Sequence, residues 1–232
     1  MQTILTGRFD EKSVAGKPLG RHLQHDEASR SYRVTRHPAP LESRKWKRHG
    51  RIFTQREGSC ICQALVGALM TEPLYTPEII LDESHAVELY RQATRLDTIP
   101  GTYPPDDTGS TGLAAAKAAK REGYISGYTH AFGLEDTLHA LQRGPILLGI
   151  AWYDSFDTPR GPDAELVIAT NAEERGGHEV EINEIDVACE MVRGPNSWSD
   201  DYGDEGYFTM SWKTLETLLK DHGDVIQLQR DG

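Results

Sequence analysis

The spacing of apolar positions changes character at Gly144-Pro145. Before that point apolar residues recur at helical intervals, and after it they alternate or run together as in strands. Ser59 to Met70 is one apolar run, with Ala64, Leu65, Ala68 and Leu69 among its members. Apolar on most sides, it predicts a helix buried at the centre of the fold. Ser84 to Arg95 predicts a second helix, with Ser84 as N-cap and Val87, Leu89 and Tyr90 facing inward. A loop rich in Pro, Gly and Asp follows from Pro100 to Gly109. Ser110 or Thr111 then caps a third helix, Leu113 to Glu122, which Gly123 stops. A short helix, Leu134 to Arg143, ends at Gly144-Pro145.

Beyond Pro145, Ile146 to Trp152 and Leu166 to Ala169 read as apolar strands. His178, Val180 and Ile182 alternate with Glu179, Glu181 and Asn183, the pattern of a half-buried strand with its acidic face in water. Val187, Cys189 and Met191 mark another strand, Tyr207 to Met210 the next, and Val225 to Leu228 a closing one. Ser211 to Lys220 reads as a surface helix. The expectation is an α+β fold in two lobes: a helical lobe over about 51–144 and an antiparallel β lobe over about 145–232. A cleft between lobes is a favoured place for a pocket.

Met1 to Gly50 fits neither lobe. It is polar, broken by Pro18, Pro38 and Pro40, and basic in its second half. Between Arg30 and Arg51 eight Lys or Arg stand against Glu42 alone, a net of +7 inside a chain whose formal net charge is -11. The plain reading is a solvated basic arm on an acidic body; a processing site or a docking patch are the sharper ones. The negative total excludes a general nucleic-acid binder. No stretch is long and apolar enough to span a membrane, and Met1 to Arg30 lacks a secretory-signal pattern. Three cysteines do not make a disulfide framework. The expected setting is therefore cytoplasmic or intracellular, without a membrane partner or a cofactor.

The candidate chemistry lies in three places. Cys60 follows Gly58-Ser59 at the mouth of the first helix, where the partial positive charge of the helix end favours a thiolate. Alone, such a cysteine reads as a small buried hydrophobe. Cys62 points to another face of the helix, and Cys189 sits among apolar neighbours, so both are assigned to packing. His178 opens a strand directly after Gly176-Gly177. Asn196, in Asn196-Ser197-Trp198, can fix the tautomer of a histidine ring, and Trp198 can cover that bond from water.

Together these residues resemble the papain-like (C1) cysteine peptidases. Gly58-Ser59-Cys60 is similar to the family's nucleophile turn. His178 follows Cys60 by 118 residues and Asn196 by 136, against a family spacing of about 130–150. The more specific match is Asn196-Ser197-Trp198 with Gly203-Asp204-Glu205-Gly206-Tyr207, similar to the family's Asn-Ser-Trp…Gly-x-x-Gly-Tyr stretch. The resemblance covers roughly Phe53 to Met210. Asp106 to Ser110 and the helix after it look most like papain-like proteins of actinobacteria and their phages, which would allow a virion-associated setting.

The resemblance implies a two-lobed papain-like fold, a protein or peptide substrate, and catalysis by a Cys60–His178 pair oriented by Asn196. Gln55 looks like the oxyanion-hole glutamine, Gly109 and Ser110 would bind substrate backbone, and Gly177 and Trp198 would line the groove. The arm corresponds to a short pro-segment-like extension. The chain departs from the family pattern at four points. Gln55 stands one residue nearer the cysteine than usual, Ile61 replaces an aromatic, Ser199 replaces a glycine, and the usual disulfides cannot form. The same residues would serve an amidase acting on isopeptide or cell-wall peptide bonds. The departures also fit a catalytically silent papain-like fold used for binding or assembly.

Overall fold

The computed structural model describes residues 14–23, 27–36 and 39–231. The arm's first 13 residues lie outside that set. Thirteen elements frame the fold: β1 (Arg44–Lys45), α1 (Cys60–Leu69), α2 (Glu83–Leu96), α3 (Gly112–Arg121), β2 (Gly127–Ala131), α4 (Gly133–Leu141), β3 (Ile146–Tyr153), β4 (Glu174–Ile182), β5 (Glu184–Asp186), β6 (Met191–Pro195), β7 (Tyr207–Ser211), α5 (Trp212–Lys220) and β8 (Asp224–Gln229). Short 3-10 turns add Glu27–Tyr32 and Asp154–Phe156. The strands form two four-stranded antiparallel sheets, ordered β2-β8-β3-β4 and β1-β5-β6-β7.

Every residue of α1 is buried, Gln63 included, as a run apolar on most sides predicts. It packs with α2 and α3 in one core and leans its other side on β4. The second core lies between the two sheets and α5, around Trp152, Phe156, Val180, Phe208 and Leu218. The α+β layout, helical first and antiparallel β second, is the one the sequence pattern predicts.

Several local expectations change. Asp82, not Ser84, caps α2: its carboxylate accepts the Ser84 backbone N–H at 2.9 Å, and His85 completes a reciprocal capping box. Thr111 caps α3 through the Ala114 N–H. Val87 is only half-buried. Leu166–Ala169 is no strand, although Leu166 donates its N–H to the Thr209 carbonyl. Cys189 lies exposed in the turn between β5 and β6 rather than in mid-strand. Strand β2 joins the β3 sheet, and the buried side of α4 enters the second core, so the β lobe begins near residue 127 instead of 145.

The largest correction concerns β4. Its acidic face is not in water: Glu179, Glu181 and Asn183 are as buried as His178 and Val180. Helix α1 covers that face, and period-two alternation cannot report a helix laid on the polar side. The arm is likewise more than a solvated basic strip. Arg33 and Arg36 both donate to the fully buried Asp136, each Nε at 2.6 Å. Arg44–Lys45 adds an edge strand to β5, and Arg48 is buried in an ion pair with Glu181.

Candidate active site

Cys60 is the first residue of α1 and is fully buried. The turn before it is fixed by an aspartate whose role the sequence did not announce. Asp107 accepts the Gly58 N–H through both carboxylate oxygens at 3.0 Å and the Tyr90 hydroxyl at 2.6 Å. Tyr90 in turn accepts the Gly109 N–H at 2.8 Å. One hydrogen-bonded unit thus ties the nucleophile turn to the 100–109 loop. Cys62 is buried in the helical core, as assigned.

Across the interface, β4 carries His178. Asn196 Oδ1 accepts the Ser197 N–H at 2.8 Å, so that atom is an acceptor, and His178 Nε2 lies 2.8 Å from it. The imidazole therefore carries its proton on Nε2, and the lone pair of Nδ1 is left free. Nδ1 has no hydrogen-bond partner among the described residues. Trp198 stacks on the ring at 4.8 Å and Trp152 meets it edge-on at 4.6 Å. These two indoles fix the ring plane and shield the Asn196 bond. The sequence pattern marks Trp152 only as a strand residue.

Gln55 reaches this group by strand-like pairing. Its N–H donates to the Ser197 carbonyl at 2.8 Å, and the Ser199 N–H donates to Phe53. The Gln55 amide oxygen accepts the Ser197 hydroxyl, which turns Nε2 outward. Nε2 donates at 3.1 Å to the Pro18 and the Glu57 carbonyls.

Pro18 belongs to the arm, and residues 18–22 run through the cleft. The Pro18 carbonyl also accepts the Trp198 indole N–H at 3.1 Å. Gly20 and Arg21 donate their N–H groups to the Gly177 carbonyl at 3.3 and 3.0 Å. Ser110 donates to Gly20 at 2.8 Å and accepts from His22 at 2.7 Å. A side chain on Gly109 would strike the Gly20 carbonyl at 2.3 Å. All four residues expected to line the groove, Gly109, Ser110, Gly177 and Trp198, thus touch the arm's main chain.

Burial sets the electrostatics of the pair. It pushes the Cys60 thiol up to about 12, against a hydrogen bond from the Glu179 backbone. It pulls His178 down to about 3, against the bond to Asn196. Both groups are therefore neutral at pH 7 with the arm in place, in contrast to the thiolate expected from the helix mouth alone.

No protein-family profile matches the chain, and no curated protein matches it in sequence. Solved structures do. Xylellain, a cysteine protease from Xylella fastidiosa, superposes with a TM-score of 0.76 at 17% identity, over 95% of this chain and 99% of that one. Procathepsin B S9 from Trypanosoma congolense gives 0.65 at 12%, over 94% and 88%. Bromelain from Ananas comosus, in complex with E64, gives 0.55 at 15%, over 79% and 94%. The fold is papain-like.

Proposed function

We propose that this protein is a cysteine peptidase of papain-like mechanism, held inactive by its own N-terminal segment. One observation carries the reading. Residues 18–22 lie in the cleft as a peptide would, hydrogen-bonded to Gln55, Ser110, Gly177 and Trp198, of which Gly177 precedes His178 in the chain and Trp198 stacks on its ring. A site that grips main chain through main-chain groups at several positions is suited to polypeptide rather than to a small amide.

In the reaction, water reaches Cys60 and His178 once the segment leaves, and the helix end together with the imidazolium stabilises the thiolate. The Cys60 sulfur attacks the substrate carbonyl carbon. The developing oxyanion is held by Gln55 Nε2 and the Cys60 N–H. Loss of one such donor typically raises the barrier by about 2.7–4 kcal/mol. His178 gives its proton to the leaving amine as the carbon–nitrogen bond breaks, leaving a thioester on Cys60. A water, deprotonated by His178, then releases the acid and restores the thiol. Asn196 holds the imidazole in line throughout. Retention of this whole set speaks against a silent binding module.

A thiol-directed epoxide tests both parts of the reading, with the adduct mapped by mass spectrometry. A Cβ at Gly20 would lie 2.0 Å from the Gly58 carbonyl oxygen, so Gly20→Val displaces the segment. We expect slow labelling of Cys60 in the parent, an increase of at least about tenfold in Gly20→Val, and loss of the increase in Gly20→Val/His178→Ala. Labelling of Gly20→Val no faster than free cysteine would overturn the peptidase assignment. Equal rates in parent and Gly20→Val would overturn inhibition by the arm.

A further inference from the structure

The Arg21 side chain turns down from the cleft into the β lobe and is buried. What it meets follows from strand register. Glu179 of β4 pairs with Gly149 of β3, and Gly149 pairs with Asp224 of β8. The three residues form one row across the sheet, so their Cα–Cβ directions share a face: a carboxylate, a gap, a carboxylate. Arg21 lies in the gap. A Cβ on Gly149 would stand 2.4 Å from Arg21 Nε and 2.6 Å from Asp224 Oδ1.

Arg21 Nε donates to Asp224 Oδ1 at 3.0 Å, Nη2 donates to the same oxygen, and Nη2 also reaches the His222 carbonyl at 2.9 Å. Glu179 forms the other wall. Its carboxylate packs against Gly112, and neither oxygen has a hydrogen-bond partner among the described residues. Burial raises its carboxyl group, Asp224 adds to the rise, and the Arg21 charge opposes it. Two carboxylates facing one gap, Glu179 buried and unpaired and Asp224 partly exposed, form a poor structural brace and a good receptor for a cation.

We propose that the Glu179–Gly149–Asp224 row is a side-chain pocket for arginine, filled by Arg21 in this form and by an arginine of the peptide substrate when the arm leaves. This rests on the peptidase reading above. The flat floor left by Gly149 and the two donors sharing Asp224 suit a planar guanidinium better than a lysine ammonium. The pocket opens beside the Gly177 carbonyl, so the residue it selects is the one whose main chain bonds there.

The experiment uses the full chain carrying Gly20→Val/Arg21→Ala, so that the arm neither seats nor competes. Fluorogenic peptides carry arginine, lysine, leucine or citrulline, arginine's neutral isostere, at each of the three positions preceding the scissile bond in turn. At one position arginine should exceed citrulline and leucine in kcat/KM by at least about tenfold. Asp224→Asn on that background, and independently Glu179→Gln, should each lower the arginine-to-leucine ratio of kcat/KM by at least about fivefold, with folding checked by melting. No arginine preference at any position, or one that persists in both variants, overturns the pocket. If no peptide is turned over, calorimetric titration with the arginine and citrulline peptides decides. At least about tenfold tighter binding of arginine upholds the pocket on a fold without peptidase activity, and equal or absent binding overturns it.

Discussion

Glu179 and Glu181 stand two residues apart on the same face of the same strand, equally buried, and their surroundings differ completely. Glu181 is answered. Arg48, itself buried, donates to one oxygen and the Thr71 hydroxyl to the other. A side chain at Gly67 of α1 would strike both members of that pair, so the helix leaves room for it. Glu179 is not answered: neither of its oxygens has a hydrogen-bond partner among the described residues, and the charge that opposes the rise of its carboxyl is Arg21 of the N-terminal segment. Under the pocket proposed above, the difference separates a carboxylate that builds the lobe interface from one kept for an incoming ligand. Burial and sequence position alone would have ranked the two together.

The largest expected effect lies on the answered side. Glu181→Ala leaves the Arg48 guanidinium buried without its partner, and denaturant unfolding should show a loss of about 3–5 kcal/mol. A loss under about 1 kcal/mol would mean that Arg48 finds another acceptor or water, and the contrast with Glu179 would fail. On the unanswered side the sign reverses. Glu179→Leu removes a buried, unpaired carboxylate, and at pH 8 it should stabilise the chain by about 1–3 kcal/mol. The Glu179 carboxyl is raised in the folded state. Its contribution is thus fully present below the ordinary 4.5 and fades as pH rises through the folded value. The gain in Glu179→Leu should shrink toward pH 4.5; a gain independent of pH would place the effect in packing instead.

The opposite face of β4 supplies a control of opposite sign. His178 falls from 6.5 to about 3 on folding because it is buried. Its contribution is present above pH 6.5 and is lost as pH drops toward 3. Between pH 7 and pH 5 the parent should lose up to about 2 kcal/mol relative to His178→Gln. Parallel profiles would show that water already reaches the ring. The smallest effect is a coupling. A double-mutant cycle on Arg21 and Asp224 should return about 1 kcal/mol, below the Arg48–Glu181 coupling, because the Asp224 side chain keeps 28% of its exposure. A larger value than for Arg48 and Glu181 would make Arg21 a brace rather than a placeholder.

The sequence shows best what neighbours in the chain decide. Helix α1 is legible because nine of its ten positions are small or apolar, and Cys60, His178 and Asn196 stand out as candidates through their order and spacing taken together. The two-lobe layout follows from the change of period at Gly144-Pro145. What escaped was set by distant partners. The charges facing Glu181 and Asp224 lie 133 and 203 residues away, in a stretch that reads as a solvated arm. Strands β1 and β2 are too short or too polar to show a period, and the β5–β6 turn hides inside an apolar alternation. The role of Gln55 depended on whether Ser197 would hold its oxygen, and only the pairing of 53–55 with 197–199 brings that hydroxyl within reach.

The manner in which the arm is attached has a kinetic consequence. Residues 18–22 share a chain with the cleft they fill, and the stretch behind them is pinned at Asp136 and by β1. A tethered occupant of this kind meets its site at an effective concentration on the order of millimolar, whatever the dilution of the protein. Free peptide must outcompete that local excess, and no lowering of protein concentration helps it. A single cut anywhere between the cleft and the pinned stretch turns the occupant into a separate molecule, and dilution alone then empties the site.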